Sequence, residues 1–317
     1  MHSVPRYHPM EMLTASKRKC IQKPHSKVPM NTQNSTTASH AVISQSIFTP
    51  RASTYDASNG GWHSVLASDY ISWIRPQKGD KVLDLACGTG LVTCLAAEAI
   101  GPDGLIVGID VTAAMLDEAR RKQVKAESGR IEWVEHDISA GLDEVGVVRD
   151  IVRKGGFNLV ICCSALFYLA NPADAIRHWS RLLKPGGRMI VDVPTEDKTI
   201  QHWRFNDLRR AVGLGYPFNS EWVKGIKSLE GCFNAAGFEI EKSWRTRSYL
   251  PERSFGKGDA DSVFEEYIAK DPLFADVGRL RKARETWQEL WTKHLRKYGR
   301  VWDGHAMYVT VGTKRSV

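Results

Sequence analysis

Nine residues, Val82-Leu-Asp-Leu-Ala-Cys-Gly-Thr-Gly90, constrain the fold of this chain more than any others. An apolar strand pattern runs into two glycines one residue apart, and a helical pattern starts at Leu91. Glycines at such a turn permit a tight bend and let backbone approach a ligand closely. A strand feeding a helix in this way is half of a β-α-β unit, so an α/β fold follows, with ligands gathered at the carboxyl ends of its strands. Asp84 stands inside the strand, four residues before Gly88. A carboxylate there repels a diphosphate and attracts a cation. The small third residue of a dinucleotide loop falls at Thr93 instead. The loop therefore favours a nucleoside that carries positive charge.

The rest of the pattern fits such a sheet. Residues 81–86, 105–109, 131–135, 157–163 and 188–193 read as five strands separated by helical periods. Thr112 caps a helix running to about Ser128. Asn171-Pro172 opens another, with Ile176, Trp179, Leu182 and Leu183 on one face and Lys184-Pro-Gly-Gly187 ending it. Two more strands are expected at 238–244 and 306–312. The roughly sixty residues between them exceed what a hairpin needs. Within that excess Leu280, Ala283, Trp287, Leu290, Trp291, His294, Leu295 and Tyr298 recur at helical spacing, with basic residues on the other face. The stripe is read as core-facing, the other reading being a grip on an acidic partner or membrane surface.

Charge and cysteine content exclude several classes. Of the formal net charge of +8 in 317 residues, the first 55 residues hold +6 (seven basic, one acidic), leaving +2 for the body. The basic excess is then poor support for nucleic-acid binding. Residues 1–52, rich in Ser, Thr, His, Lys and Pro, read as a disordered basic tail. Six cysteines without C-x-x-C spacing or His partners indicate neither a disulfide framework nor a metal site. The cytoplasm is the expected compartment, an organelle transit peptide being the less favoured reading of the tail. The longest apolar stretch, 159–170, is too short to span a membrane.

Two further strand ends identify the ligand. Asp110, twenty residues past Gly90, is placed to accept both hydroxyls of a ribose. His136-Asp137-Ile138 offers a carboxylate for an amino donor and a backbone N–H for a ring acceptor, the edge pattern of adenine. Ribose, adenine and a cationic amino-acid tail together describe S-adenosylmethionine.

On the motifs at 82–90, Gly108-Ile-Asp110, Glu135-His-Asp-Ile138 and Leu183-Lys-Pro-Gly-Gly-Arg188, the chain resembles the class I S-adenosylmethionine-dependent methyltransferases over about residues 55–193. It looks most like the ubiquinone/menaquinone-biosynthesis branch and related fungal natural-product methyltransferases. The resemblance implies a doubly wound, Rossmann-like, seven-stranded and mainly parallel α/β sheet. The methyltransferase domain would span 53–317, with helical insertions at about 195–220 and 246–304. It implies that the methionine end of the cofactor lies near Asp84, Ala86, Gly88 and Ser164, with Gly90 also among the cofactor-binding residues, and the ribose on Asp110. Adenine would sit between Val111, Met115 and Ile138 with Asp137 on its amino group, and Tyr55 would close the site.

The acceptor is read more coarsely. Cys163-Ser-Ala-Leu-Phe-Tyr168 after the fourth strand is neither an Asn-Pro-Pro-Tyr type motif nor a Pro-Cys nucleophile. Aromatic additions, among them Trp203, Phe205, Tyr216, Phe218, Trp222 and the Trp287/Trp291 helix, suit an apolar pocket over the cofactor. A small, largely apolar organic acceptor is expected, with Trp62, Tyr168 and Trp203 as candidate substrate contacts and His63, Tyr168 and His202 as candidate general bases. No nucleic acid, stable membrane insertion or metal is expected. The other readings are a protein or RNA methyltransferase, or a member that binds the cofactor without transferring methyl. Neither the methylated atom nor an oligomeric state follows from the sequence.

Overall fold

The computed structural model describes residues 40–315 apart from 197 and 217. In chain order the strands are β1 (Lys81–Leu85), β2 (Leu105–Asp110), β3 (Arg130–Glu135), β4 (Phe157–Cys162), β5 (Leu183–Pro194), β6 (Phe238–Arg245), β7 (Arg253–Phe255), β8 (Val301–Asp303) and β9 (Met307–Lys314). Seven of them form one sheet in the order β3-β2-β1-β4-β5-β9-β6, while β7 and β8 make a separate ribbon. The first five run parallel and β9 is antiparallel to both its neighbours. This is the seven-stranded, mainly parallel sheet expected from the sequence.

The helices are α1 (His40–Phe48), α2 (Trp62–Ile74), α3 (Leu91–Ile100), α4 (Ala113–Arg121), α5 (Gly146–Arg153), α6 (Pro172–Ser180), α7 (Thr199–His202), α8 (Leu208–Ala211), α9 (Ile226–Ala235), α10 (Ala260–Tyr267) and α11 (Val277–Tyr298). A π turn, Trp203–Asp207, joins α7 to α8. None of the described helices is long and apolar enough to cross a membrane.

Strands β1, β2 and β4 are almost wholly buried, because helices cover both faces of a parallel sheet. Alternate residues of one strand supply the two cores. Val82 packs with Leu66, Tyr70 and Ile74 of α2 and Ala96 and Ile100 of α3. Leu83 and Leu85 face the opposite side, with Trp179 of α6 and Leu229 and Phe233 of α9. Gly90 is fixed by crowding as well as by its φ of +80. A Cβ there would lie 2.6 Å from Trp133 of β3.

Three expectations need correction. The helix after Thr112 ends at Arg121, not near Ser128, with Lys122 already extended. Met115, Leu116 and Ala119 are buried, but the next positions on that face are Lys122 and Gln123, which give a further turn nothing apolar to bury. Lys184-Pro-Gly-Gly187 does not separate a helix from a strand; it bulges out within β5, where the ladder to β4 jumps from Leu183 to Arg188. The tail boundary at 52 falls inside ordered chain. Helix α1 and a 3-10 turn, Thr49–Thr54, dock through buried Ile43, Ile47 and Ala52, and the Gln45 amide donates to the Val111 carbonyl at 2.8 Å. Two buried isoleucines four residues apart in a nine-residue helix make too short a stripe to stand out in the sequence. Residues 1–39 of the expected tail lie outside the described residues.

The two expected insertions together build a third core. Ile200, Trp203 and Leu208 from the first pack with Phe264, Phe274, Trp287 and Trp291 from the second. Helix α11 turns Ala283, Trp287 and Trp291 into this core, as its spacing predicts. The Trp287 indole N–H donates to the Ala260 carbonyl at 2.8 Å.

Candidate active site

Strands β1 and β4 are neighbours whose connections leave in opposite directions, and a crevice opens at their carboxyl ends. It holds a cavity of about 720 Å³ walled by Ala86, Gly88, Asp110, Val111, Met115, Asp137, Ile138 and Ser164. Two residues at the strand ends, Ala86 (φ 54) and Ser164 (φ 55), adopt the left-handed conformation without being glycine. Such strain costs of order 1–3 kcal/mol each and survives where surrounding contacts impose it. For Ser164 those contacts come from Asp192 of β5. Its carboxylate accepts the Ser164 N–H at 2.5 Å and the hydroxyl at 3.3 Å. Burial pushes the Asp192 carboxyl up to about 6, against the hydrogen bonds from Ser164 and Tyr70 that hold it lower.

Asp110 is fixed by its own loop. One oxygen accepts the Gly88 N–H and the other the Thr112 N–H, both at 2.8 Å. Burial raises its pKa and those N–H groups oppose the rise. Asp84 lies fully buried, outside the cavity wall. The Thr93 hydroxyl donates to one of its oxygens at 2.5 Å, while the other has no partner among the described residues. Burial pushes Asp84 up to about 7, the Thr93 bond opposing this. A buried acid with an idle oxygen is prepared for a cationic neighbour. Thr93, where a dinucleotide loop would have a small residue, serves here as the clamp of Asp84.

A second cavity, of about 710 Å³, adjoins the first, and Phe48, Tyr55, Ser164 and Tyr168 line both. Phe48 meets Tyr168 edge-on at 5.6 Å and Tyr55 at 6.1 Å. The aromatic lining continues through Trp62, Phe167, Phe205 and Phe218. His63 is sandwiched between Tyr55 (4.3 Å) and Trp62 (4.0 Å), and its Nδ1 is buried without a partner among the described residues. Burial and, second, the Arg51 charge push it down to about 4. Burial raises the Tyr55 and Tyr168 phenols well beyond the usual tyrosine range. His202 contacts the Ser220 hydroxyl at 3.2 Å through Nδ1 and lies 3.6 Å from the Asp207 carboxylate through Nε2.

The structure thus brings Tyr55, Ala86, Gly88, Asp110, Val111, Met115, Asp137, Ile138 and Ser164 to one cavity, and Trp62, His63, Tyr168 and His202 to the other. Gly90 walls neither; it shapes the start of α3 and packs on Trp133. Trp203 is a correction. It is buried in the insertion core against Trp287 at 5.4 Å and lines neither of these two cavities. Trp287 and Trp291 are core residues too, and Tyr216 is exposed, so of the expected aromatic wall Phe205 and Phe218 are in place. Sequence reasoning missed Phe48 and Arg51, which lay in the supposed tail, and Asp192, an acid inside an apolar strand and so a residue that needs a buried partner.

The chain is similar to known proteins. A family described as methyltransferase domain matches residues 76–237, a little over half of the chain. The chain is 30% identical over 211 residues to the 2-phytyl-1,4-beta-naphthoquinone methyltransferase, chloroplastic, of Arabidopsis thaliana, covering 62% of this chain and 75% of that protein. It is also 30% identical over 164 residues to the nocamycin O-methyltransferase of Saccharothrix syringae, covering 51% and 55%. Among solved structures, magnesium protoporphyrin IX methyltransferase from Synechocystis PCC 6803 with bound SAM aligns over 89% of this chain and 100% of that one, with TM-score 0.50 and 14% identity, a likeness of fold. With its seven-stranded, mainly parallel sheet and a methyltransferase-domain match over more than half of its length, the chain belongs to that family, as a class I S-adenosylmethionine-dependent methyltransferase.

Proposed function

We propose that the chain methylates a small, largely apolar organic acceptor bearing a ring, in natural-product or quinone-like metabolism of the cytoplasm. The observation that carries this reading is the pair of adjoining cavities, of about 720 and 710 Å³, with a shared wall of Phe48, Tyr55, Ser164 and Tyr168. Each has the size of a small-molecule site. The two relatives, whose names carry a naphthoquinone and nocamycin, support it. The five described cysteines are all free thiols, in keeping with a reducing compartment.

In this reading Asp110, held rigid by two backbone donors, accepts from the ribose hydroxyls. Val111, Met115 and Ile138 enclose the adenine and Asp137 takes its amino group. The idle oxygen of Asp84 balances the ammonium of the methionine end beside Ala86, Gly88 and Ser164, and Tyr55 closes the cavity. Once bound, the cofactor supplies an electrophilic methyl on a sulfonium. The protein's part is to align the acceptor and exclude water, worth roughly 7–11 kcal/mol of barrier. Of the three candidate bases, His202 is the one with a carboxylate beside its ring, at Asp207.

A pH dependence follows from Asp84. Without ligand its carboxyl is half protonated near pH 7, and binding an ammonium requires the ionised form, so binding expels a proton below that pH. Affinity for S-adenosylhomocysteine should fall about tenfold per pH unit as pH drops below 7 and level off above it. Calorimetry from pH 5 to 8 checks this. A flat profile, or the same slope in Asp84→Asn, would remove Asp84 from the ammonium site.

The acceptor class is tested by incubating the protein with methyl-labelled S-adenosylmethionine and a host-cell extract, then separating small-molecule, protein and RNA fractions, with Asp110→Ala as control. Label concentrated in the small-molecule fraction and absent with the control is the expected result. Label in protein or RNA would sink the reading.

A further inference from the structure

The wall between the two cavities carries a cation that none of the roles above uses. Arg51, in the 3-10 turn after α1, lines the acceptor cavity beside Phe48 and Tyr55. Its guanidinium lies 5.6 Å from the Phe48 ring centre and 5.9 Å from that of Tyr55. It is close enough to Tyr168 and His63 for its charge to act on both. No carboxylate pairs with it among the described residues. The nearby acid Asp56 is taken by Lys122 at 2.6 Å and by the Thr89 hydroxyl at 2.5 Å.

The acids of the acceptor cavity are engaged or exposed as well. Asp271 holds Arg204 at 2.7 Å, Asp303 accepts from the Tyr267 hydroxyl at 2.8 Å, and Glu196, Glu221 and Glu266 are exposed. Arg51 thus rests against aromatic faces, with its donors directed to no anion of the described chain, beside residues that both cavities share.

We infer that Arg51 makes the acceptor site selective for an ionised oxygen carried on the acceptor's ring, such as an enolate or phenolate. The inference rests on the small-acceptor reading above and names the charge state of that acceptor. A guanidinium forms stronger, charge-assisted hydrogen bonds with an oxyanion than with a neutral oxygen. The titratable groups at this wall fit the role. His63 is neutral at physiological pH and the two tyrosines keep their protons, so none of the three competes as an anion for Arg51.

The chemistry balances without a base. When the ionised oxygen is the nucleophile, its electron pair forms the new oxygen–carbon bond as the carbon–sulfur bond breaks, and the released pair stays on sulfur. No proton has to be removed. The anion and the sulfonium both become neutral, and the methylated product loses the charge by which Arg51 held it.

The test uses two probes of nearly equal shape, 2-hydroxy-1,4-naphthoquinone, whose enol is ionised at neutral pH, and neutral 2-methoxy-1,4-naphthoquinone. Each is titrated into the full chain saturated with S-adenosylhomocysteine, and into Arg51→Gln and Arg51→Lys. The unmodified chain should bind the ionised probe at least tenfold more tightly, with a preference that weakens as salt rises. Arg51→Gln should reduce that preference to within about twofold and Arg51→Lys should retain part of it, with S-adenosylhomocysteine affinity unchanged in both. Equal binding of the two probes by the unmodified chain, or a preference that survives in Arg51→Gln, overturns the role of Arg51 and leaves the small-acceptor reading standing. Binding of neither probe at millimolar concentration, with S-adenosylhomocysteine still bound, overturns both.

Discussion

Asp110→Ala is expected to weaken S-adenosylhomocysteine binding by roughly a hundredfold or more and to lower stability as well. Each lost charge-assisted hydrogen bond to a ribose hydroxyl is worth about 1.5–3 kcal/mol. Two such bonds in a mostly buried site account for the loss. Truncation also strands the Gly88 and Thr112 N–H groups that the carboxylate now accepts at 2.8 Å, at about 1–3 kcal/mol for each that stays dry. Asp110→Asn, which keeps one acceptor oxygen, should fall between. Calorimetric titration of the folded variants checks this. An Asp110→Ala protein that binds with native affinity would mean that the ribose is held elsewhere.

Trp287→Ala is expected to cost about 3–5 kcal/mol, the range for emptying a large aromatic from a dry core. Trp287 is fully buried against Trp203, Phe264 and Trp291, and its N–H bond to Ala260 would go too. The damage should be local, because this core is distinct from the two that hold the sheet. Hydrogen exchange should speed up in α10, α11 and residues 199–211 while β1, β2 and β4 stay protected. S-adenosylhomocysteine affinity should change by no more than about twofold. Equal loss of protection in the sheet would show that the insertions and the sheet unfold as one unit.

How far the sequence could be read depended on how each residue reports its surroundings. Strands buried on both faces announce themselves as apolar runs, so 105–109 against Leu105–Asp110 and 157–163 against Phe157–Cys162 differ by a residue at one end. The strand-end residues Gly88, Asp110 and Ile138 were legible because a parallel sheet gathers its strand ends in one crevice, and Ala86 through the family resemblance. The acceptor side was harder. Its wall comes from the end of α1, the 3-10 turn after it, the start of α2 and residues within 164–168, 194–224, 266–272 and 303–307, segments far apart in sequence that meet only through tertiary packing. A tryptophan at helical spacing looks the same whether it faces a cavity or a core, and Trp203 went to the core. Phe48 and Arg51 were hidden for another reason. The helix that ends at Phe48 is too short to carry a signal of its own, and it is held by docking against Gly215 and the Val111 carbonyl.

The wall of Phe48, Tyr55, Ser164 and Tyr168 belongs to two cavities at once, and this ties their occupants together energetically. A molecule on one side that orders these rings spares its neighbour that ordering cost, and by linkage the neighbour returns the same factor. Acceptor and cofactor should therefore each raise the other's affinity by one common ratio. Two of the four residues belong to the segment from α1 to Tyr55, so a substitution in that short segment is felt in both cavities at once.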